Sequence, residues 1–470
     1  MAVHQEQDLN EETNQDDMIE AGTHNYSSSK DYVKPEDPKV LEQLEWFQDQ
    51  KLALMMHWGP YSQLGLVESW ALSDQDGDWS RHGVDWPVDM ETFKQQYFDL
   101  GKTFNPIRMM PDQWAQQAAD AGFKYLIFTT KHHDGFCMWD TQYSDYKVTS
   151  PDCPFHKNPN ADIVRKVFDA FRSKGLGISA YFSKADWHIP SYWNSKYERG
   201  SFTWRGPSYN PQDYPEVWEE FVQYTHNQIL ELARHYGKLD ILWFDAGWVC
   251  PQSGQDIRLG EVIDKVRRFQ PWVLSADRTV GGPYENYVTP EQCVPEKPLD
   301  IPWESCITMG TSFSFKYEDH YKSPRELVNL LVDVVAKGGN LALNVGPQPD
   351  GRLPAGAVKS MKGLGEWMRI YGEAIYGTRV QAPYKHKNMA FTRKGNTVYA
   401  FMMYPDAKET IKAKITIPFT GKIKKVTLMG SETDLAFQPA DGGYRVQLPE
   451  QETKETPIAH VFKIETAQVN

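Results

Sequence analysis

The chain has 470 residues, a formal net charge of −13 and an aromatic content of 13%, including 16 Trp and 24 Tyr. This length is too great for one ordinary hydrophobic core, so two domains with tails are expected. The negative charge disfavours nucleic acid and anionic membranes as partners, and no apolar run approaches the roughly 20 residues of a membrane-spanning helix.

Residues 1–38 are predicted to form a polar N-terminal arm that is loose or wrapped on the surface, because they are acidic and rich in Ser, Asn and Gln. They lack the apolar stretch of a signal peptide. The five cysteines include no C-x-x-C pair, and their odd number argues against a disulfide framework, so free thiols are expected.

Strand-like and helix-like segments alternate from residue 39 to residue 378. Predicted strands cover residues 51–56, 125–129, 177–182, 239–244, 272–276 and 341–345. Predicted helices cover residues 110–121, 163–174, 216–236, 257–269, 324–337 and 355–371. This alternation implies parallel pairing. Length and order favour a (β/α)8-like TIM barrel over an open doubly wound sheet; about seven strands are recognisable, and the eighth is left open.

The pattern changes after residue 378, and residues 379–470 are predicted to form an antiparallel β-sandwich. Short strands are expected at residues 389–392, 397–403, 413–417, 424–428, 444–448 and 458–464, with Asn, Gly, Asp and Pro between them. No catalytic cluster falls in this region, so its expected role is to pack against the barrel.

Polar side chains stand at or just after the C-terminal ends of the predicted barrel strands. They are His57, His132, His133, Tyr181, Asp245 and Arg278. In a barrel all these strand ends meet on one face, so the side chains are expected to converge there. Asp245 follows an apolar strand and stands among aromatic residues, which is typical of the nucleophile of a sugar-cleaving enzyme. The alternative is a carboxylate that caps a helix or pairs with an arginine.

The adjacent histidines could also be zinc ligands. However, neighbouring residues in a strand point to opposite sides, and no H-E-x-x-H or C-x-x-C motif supplies further ligands. Neutral imidazoles that hydrogen-bond sugar hydroxyls fit better, since each offers one donor and one acceptor. Arg278 near Asp245 would keep that carboxyl ionised, as a nucleophile requires.

Retaining glycoside hydrolysis needs a second carboxyl, about 5–5.5 Å from the first, that donates a proton to the leaving oxygen. The candidates after Arg278 are Glu285, Glu291, Glu296 and Glu304. The chemistry of the residues alone does not choose among them.

Several motifs, in chain order, resemble those of the α-L-fucosidases of glycoside hydrolase family 29. They are His57-Trp58-Gly59, Lys131-His-His-Asp-Gly-Phe136, Trp243-Phe-Asp245, Asp277-Arg278, Trp303-Glu304 and Gly338-Gly-Asn-Leu-Ala-Leu-Asn-Val-Gly-Pro347. The resemblance extends over residues 44–379, and the later β-sandwich is similar to the second domain of that family. It implies a retaining exo-glycosidase, without cofactor or metal, that removes terminal α-linked L-fucose by double displacement.

The resemblance also implies roles for individual residues. Asp245 matches the family nucleophile, and the sugar-binding positions match His57, His132, His133, Tyr181, Trp243 and Arg278. Glu68 and Trp70 look like the Glu-Trp pair of the family, although Ser69 separates them here. The segment Thr289-Pro290-Glu291 resembles the one that bears the acid/base in bacterial members, so Glu291 is predicted for that role, with Glu304 as the runner-up. Ala246 stands where the family leads us to expect Gly.

Other functions stay open at this point. A glycosidase on the same barrel could prefer a related galacto-configured sugar, and a barrel that has lost catalysis could bind fucose. A metal-dependent barrel enzyme is a third alternative. Fucosylated oligosaccharides or glycoconjugates are the expected partners, whereas linkage and oligomeric state are undetermined. Free thiols favour a reducing compartment, but glycan degradation favours a periplasmic or secreted location if a signal peptide has been removed.

Overall fold

The computed structural model describes residues 26–73, 77–81, 89–197 and 205–467. The first domain is built on seven parallel strands in the order β5-β4-β3-β2-β1-β7-β6. They are β1 (Leu52–Met56), β2 (Tyr125–Lys131), β3 (Gly177–Ser183), β4 (Ile241–Asp245), β5 (Leu274–Asp277), β6 (Glu304–Thr308) and β7 (Asn340–Val345). Every residue of these strands is buried, as expected for a parallel sheet that is covered on both faces.

An irregular segment, residues 284–292, fills the space between β5 and β6. On one side, the Asp277 amide donates to the Tyr284 carbonyl at 3.2 Å. On the other side, the Cys306 amide donates to the Pro290 carbonyl at 3.0 Å. Pro290 has no amide hydrogen and so cannot take part in a regular ladder. This segment therefore occupies the place of the eighth strand, and the predicted (β/α)8-like barrel is confirmed.

Eight helices lie in the described part of the chain. They are α1 (Pro38–Gln50), α2 (Met90–Phe98), α3 (Pro111–Asp120), α4 (Ile163–Ser173), α5 (Pro215–His235), α6 (Leu259–Arg267), α7 (Pro324–Ala336) and α8 (Ala355–Tyr371). The first two were not predicted from the sequence. A capping box begins α7, where the side chains of Ser323 and Glu326 each accept from the other's backbone amide. None of the described helices combines the length and apolar character needed to cross a bilayer.

The second domain contains two antiparallel sheets, as predicted for a β-sandwich. Its strands are β8 (Arg379–His386), β9 (Met389–Lys394), β10 (Thr397–Met403), β11 (Lys414–Ile417), β12 (Ile423–Leu428), β13 (Thr433–Asp434), β14 (Phe437–Ala440), β15 (Gly443–Gln447) and β16 (Ala459–Thr466). The six-stranded sheet has the order β13-β12-β16-β10-β9-β8, and the three-stranded sheet has the order β11-β15-β14. Phe391, Ile417 and Phe462 belong to one buried apolar cluster to which both sheets contribute.

The two domains share hydrogen bonds. Arg325 in α7 donates through Nη1 to the Pro457 carbonyl at 2.7 Å and through Nη2 to the Thr456 carbonyl at 3.1 Å. Thr392 in β9 donates to the Ala374 carbonyl, which follows α8, at 2.8 Å. The second domain therefore packs against the outer helices of the barrel.

Candidate active site

A pocket opens at the C-terminal ends of the barrel strands, and its empty volume, mouth included, is about 330 Å³. It is lined by Met55, His57, Glu68, Trp70, His132, Trp243, Asp245, Arg278, Glu291, Cys306 and Phe313. These residues come from many different segments, because every strand of a barrel ends on the same face.

Asp245 is the last residue of β4 and is only 7% exposed. Its carboxylate accepts from the Tyr181 hydroxyl and from Arg278 Nη1, the latter at 2.7 Å. Burial by itself would raise the pKa of this carboxyl, but the Arg278 charge and the hydrogen bonds from the Tyr181 hydroxyl and the Ala246 amide, acting together with His133, lower it from 3.8 to about 2. The next residue, Ala246, has a φ of 68°, a conformation that favours glycine. With a pKa of about 2, the Asp245 carboxyl is ionised at neutral pH.

Arg278 connects the two acidic residues of the pocket. Its Nη1 binds Asp245, its Nη2 binds the Glu291 carboxylate at 2.5 Å, and its Nε donates to Thr289 Oγ1 at 3.0 Å. The guanidinium also lies 4.4 Å from the centre of the Trp243 ring. Since both carboxylates contact terminal nitrogens of one planar group, they lie close together on the same side of the pocket.

Each of the three histidines has a partner for its Nδ1. His57 contacts Asn344 Oδ1 at 2.8 Å, His132 contacts Ser69 Oγ at 2.5 Å, and His133 contacts Ser183 Oγ at 2.6 Å. These contacts fix the orientation of the rings. His133 Nε2 lies 3.8 Å from Asp245 Oδ2.

Burial keeps the three imidazoles neutral. It lowers the pKa of His57 and of His133 from 6.5 to about 4, and that of His132 well below its ordinary value. A neutral imidazole offers one donor and one acceptor, which matches the bonding pattern of a hydroxyl group. The histidines are therefore suited to bind a polyhydroxylated ligand.

Glu68 and Trp70 both line the pocket, although Ser69 separates them in the sequence. The intervening Ser69 is buried and its Oγ contacts His132 Nδ1, so the extra residue supports a histidine. Glu68 is 3% exposed, and among the described residues its Oε1 has no hydrogen-bond partner. Burial, together with the charge of Glu291, raises the pKa of Glu68 well above its ordinary value. A protonated Glu68 can donate to a ligand oxygen.

His132, His133 and Asp245 each present one potential metal-ligand atom, and these atoms lie within 4.8 Å of one another. However, His132 Nδ1 already contacts Ser69, and Asp245 already binds the Arg278 guanidinium and the Tyr181 hydroxyl. A fixed guanidinium charge at 2.7 Å from Asp245 opposes a second cation there. The cluster therefore suits hydrogen bonding to a neutral ligand better than metal binding.

The other glutamates considered from the sequence do not line the pocket. Glu304 is the first residue of β6, at the opposite end of the barrel, where it accepts from Tyr125 and from Trp243 Nε1, the latter at 3.2 Å. Burial raises the pKa of Glu304 from 4.5 to about 7. Glu285 is buried behind the pocket, and Glu296 is exposed. Of the four glutamates, the structure brings only Glu291 beside Asp245.

Sequence reasoning did not single out several residues that shape the pocket. Met55, Cys306 and Phe313 supply its apolar lining. Met55 could have been found, because it stands two residues before His57 and so points to the same side of the strand. Cys306 and Phe313 carry no comparable pattern, since their positions depend on how β6 and the loop after it pack.

All five cysteines lie in the described part of the chain and are free thiols, as expected.

The chain matches two family models: the α-L-fucosidase model over residues 20–373 and the α-L-fucosidase C-terminal domain over residues 381–465. The chain belongs to the α-L-fucosidase family. This membership confirms the predicted glycoside hydrolase family and the predicted hydrolase activity on α-L-fucosides.

Relatives of this α-L-fucosidase cover nearly its whole length. The tissue α-L-fucosidase of Mus musculus is 27% identical over 442 residues, which are 90% of this chain and 92% of the mouse protein. The structure of α-L-fucosidase isoenzyme 1 from Paenibacillus thiaminolyticus is 28% identical, with a TM-score of 0.75, and the alignment covers 92% of this chain and 100% of that one. The Thermotoga maritima α-fucosidase, solved in complex with fucose, is 27% identical with a TM-score of 0.71 over 94% and 99% of the two chains.

Proposed function

We propose that this α-L-fucosidase removes terminal α-linked L-fucose from fucosylated oligosaccharides or glycoconjugates, with retention of configuration. The observation that carries the proposal is the single Arg278 guanidinium that holds Asp245 and Glu291 at one pocket. Retaining enzymes keep their two carboxyls about 5–5.5 Å apart, whereas inverting enzymes need about 6.5–9.5 Å to admit a water molecule between carboxyl and sugar. The shared guanidinium brings both carboxyls to one sugar site, as a double displacement requires.

In the first step, Asp245 attacks the anomeric carbon of the fucosyl residue. A bond forms between a carboxylate oxygen and that carbon, the glycosidic bond breaks, and the proton of Glu291 passes to the leaving oxygen. Asp245 is ionised for this attack because Arg278 stabilises its charge.

In the second step, water hydrolyses the fucosyl ester. Glu291 now accepts a proton from the water, whose oxygen attacks the anomeric carbon on the face that the leaving group occupied. The bond to Asp245 breaks, and L-fucose leaves with its original configuration. The enzyme returns to its starting protonation state, and no cofactor is needed to balance the reaction.

Substrate recognition is assigned to the walls of the pocket. His57, His132, Glu68 and Trp70 contact the hydroxyls and the ring, and Tyr181 and Arg278 orient the nucleophile. His133 and Tyr181 do not belong to the pocket lining, and His133 Nε2 lies beside the nucleophile, 3.8 Å from Asp245 Oδ2. Met55, Cys306 and Phe313 provide apolar contacts for the C6 methyl group. One methyl in a pocket contributes only about 1–3 kcal/mol, so hydroxyl geometry carries most of the specificity. The apolar wall rejects an added C6 hydroxyl poorly, which keeps L-galactosides among the substrates to test.

Fucose release from an aryl α-L-fucoside and from fucosylated oligosaccharides tests the activity, and NMR of the first product tests its configuration. We expect the α anomer of L-fucose to appear first. Asp245→Asn should lower the rate of fucose release at least about 10³-fold. An initial β anomer would refute the retaining mechanism. Cleavage of galactosides with no fucose released would show that the sugar is wrong.

Azide separates Glu291 from Glu304. With a dinitrophenyl fucoside, whose leaving group needs no protonation, Glu291→Ala forms the fucosyl ester but hydrolyses it slowly. Azide attacks without a general base, so it should accelerate turnover and yield α-fucosyl azide. Glu304→Ala is the matched variant and should show no acceleration. Acceleration of Glu304→Ala by azide instead would assign the acid/base role to Glu304.

A further inference from the structure

Residues 26–33 of the polar arm, called the docked arm below, are fixed on the barrel next to β5. The Gly282 amide donates to the Asp31 carbonyl at 2.9 Å, and the Tyr32 hydroxyl donates to the Asn286 carbonyl at 3.2 Å. Ser27 is 3% exposed. The arm was predicted to be loose or wrapped on the surface, and this part of it is held by specific hydrogen bonds; residues 1–25 lie outside the described chain.

The docked arm meets the active-site turn at Glu285, a carboxyl that the catalytic proposal leaves unused. Glu285 is 1% exposed, and its Oε2 accepts from Ser27 Oγ at 2.5 Å. The same carboxylate accepts from the Gly281 amide at 2.7 Å and from the Thr279 amide at 3.2 Å. A buried carboxylate with three donors from two separate segments ties those segments together.

The turn held by Glu285 is strained at the residue after Arg278. Thr279 has a φ of 61°, a conformation that is rare for a β-branched residue and persists only where surrounding contacts enforce it. The turn after Asp245 packs closely against Arg278 and Thr279. A Cβ added to Gly247 would lie 1.9 Å from Thr279 Oγ1 and 2.9 Å from the Arg278 carbonyl oxygen. The backbone of Arg278 is therefore fixed between the nucleophile's turn and Glu285.

We propose that Glu285, held by Ser27 of the docked arm, is a positioning residue that aims the Arg278 guanidinium at Asp245 and Glu291. Glu285 touches neither carboxylate and acts through the Thr279 turn. The arm is then a working part of the active site. This inference rests on the proposed role of Arg278 in fucose hydrolysis.

Glu285→Gln is the direct test. The amide has nearly the same shape but only one acceptor oxygen, so its NH2 group must face a backbone amide or the Ser27 hydroxyl. We expect kcat/KM for an aryl α-L-fucoside to fall between about tenfold and 10²-fold, as small misplacements of a catalytic group do. The inhibition constant of L-fucose should rise as well. A lower thermal midpoint with unchanged kcat, KM and fucose inhibition in the folded enzyme would overturn the proposal.

Ser27→Ala keeps the test decisive if Glu285→Gln does not fold. It removes only the contact from the arm, and we expect kcat/KM to fall about fivefold, the equivalent of one hydrogen bond. Ser29→Ala, at an exposed serine of the same arm, is the matched control and should match the wild type. Equal activity of Ser27→Ala and Ser29→Ala would overturn the role of the arm.

A double-mutant cycle shows whether Glu285 acts through Arg278. In an Arg278→Lys background, the simultaneous contact with Asp245 and Glu291 is already lost. Adding Glu285→Gln should therefore lower kcat/KM by less than about twofold further. Additive effects would overturn the positioning role while leaving the wild-type activity in place. If the wild type itself released no fucose from any substrate, the proposed function would fail instead.

Discussion

Replacing Arg278 by Met tests what keeps Asp245 ionised in a buried pocket. Arg278 Nη1 lies 2.7 Å from Asp245 Oδ1, and the pKa of Asp245 is held at about 2 against the effect of burial. Opposite charges about 4 Å apart contribute about 4 kcal/mol at an effective dielectric constant of about 20. Since about 1.36 kcal/mol corresponds to one pH unit, removal of Arg278 should make Asp245 take up its proton up to about three pH units higher.

The assay is the pH dependence of kcat/KM, whose acid side reports groups of the free enzyme. In the wild type, Asp245 ionises near pH 2, so it does not limit activity at pH 4 to 6. In Arg278→Met, Asp245 should become protonated as the pH falls through about 5, and kcat/KM should fall with it. This fall comes in addition to a general loss of activity at all pH values.

Arg278→Lys is the matched control, because it keeps a positive charge but cannot contact both carboxylates in the plane of one group. We expect this variant to lose activity without the new fall near pH 5. Identical acid limbs in Arg278→Met and Arg278→Lys would refute the argument that the charge of Arg278, rather than its shape, maintains the nucleophile.

Three further predictions follow from the same contacts. Glu304→Gln should keep kcat/KM within about fivefold of wild type, since its carboxyl lies outside the pocket. The pKa of Glu304 is raised from 4.5 to about 7, so the folded state favours the protonated carboxyl. Its contribution to the free energy of unfolding is therefore fully present below pH 4.5 and is lost as the pH rises through about 7. Denaturation of Glu304→Gln at pH 5 and pH 8 should therefore show a smaller stability difference than the wild type, and an unchanged difference would contradict this reading. Ser69→Ala removes the partner of the buried His132 Nδ1, so kcat/KM should fall about fivefold and the thermal midpoint should fall as well. Dialysis against EDTA should leave kcat/KM unchanged, because Arg278 already neutralises Asp245; a loss restored by Zn²⁺ would instead assign the cluster of His132, His133 and Asp245 to a metal.

The order of strands and helices was open to prediction from the sequence because it depends on local patterns. Apolar strands alternate with helices of 3.6-residue spacing, and polar residues follow the strand ends. A barrel then requires those ends to share a face, so the convergence of His57, His133, Asp245 and Arg278 could be expected without coordinates. Helices α1 and α2 were missed although they carry local signals, since Asp37 and Asp89 are their N-caps and Val40, Leu44 and Phe47 are buried at helical spacing.

The choice among the glutamates belonged to the tertiary structure. Glu291 and Glu304 are only 13 residues apart in the sequence, yet Glu291 lies near the end of the irregular eighth segment, at the pocket, and Glu304 begins β6 at the opposite end of the barrel. Sequence spacing cannot show this, because Pro290 breaks the regular pairing that would reveal a strand. The docking of Ser27 on Glu285, 258 residues away, is likewise set by long-range packing that no local pattern encodes.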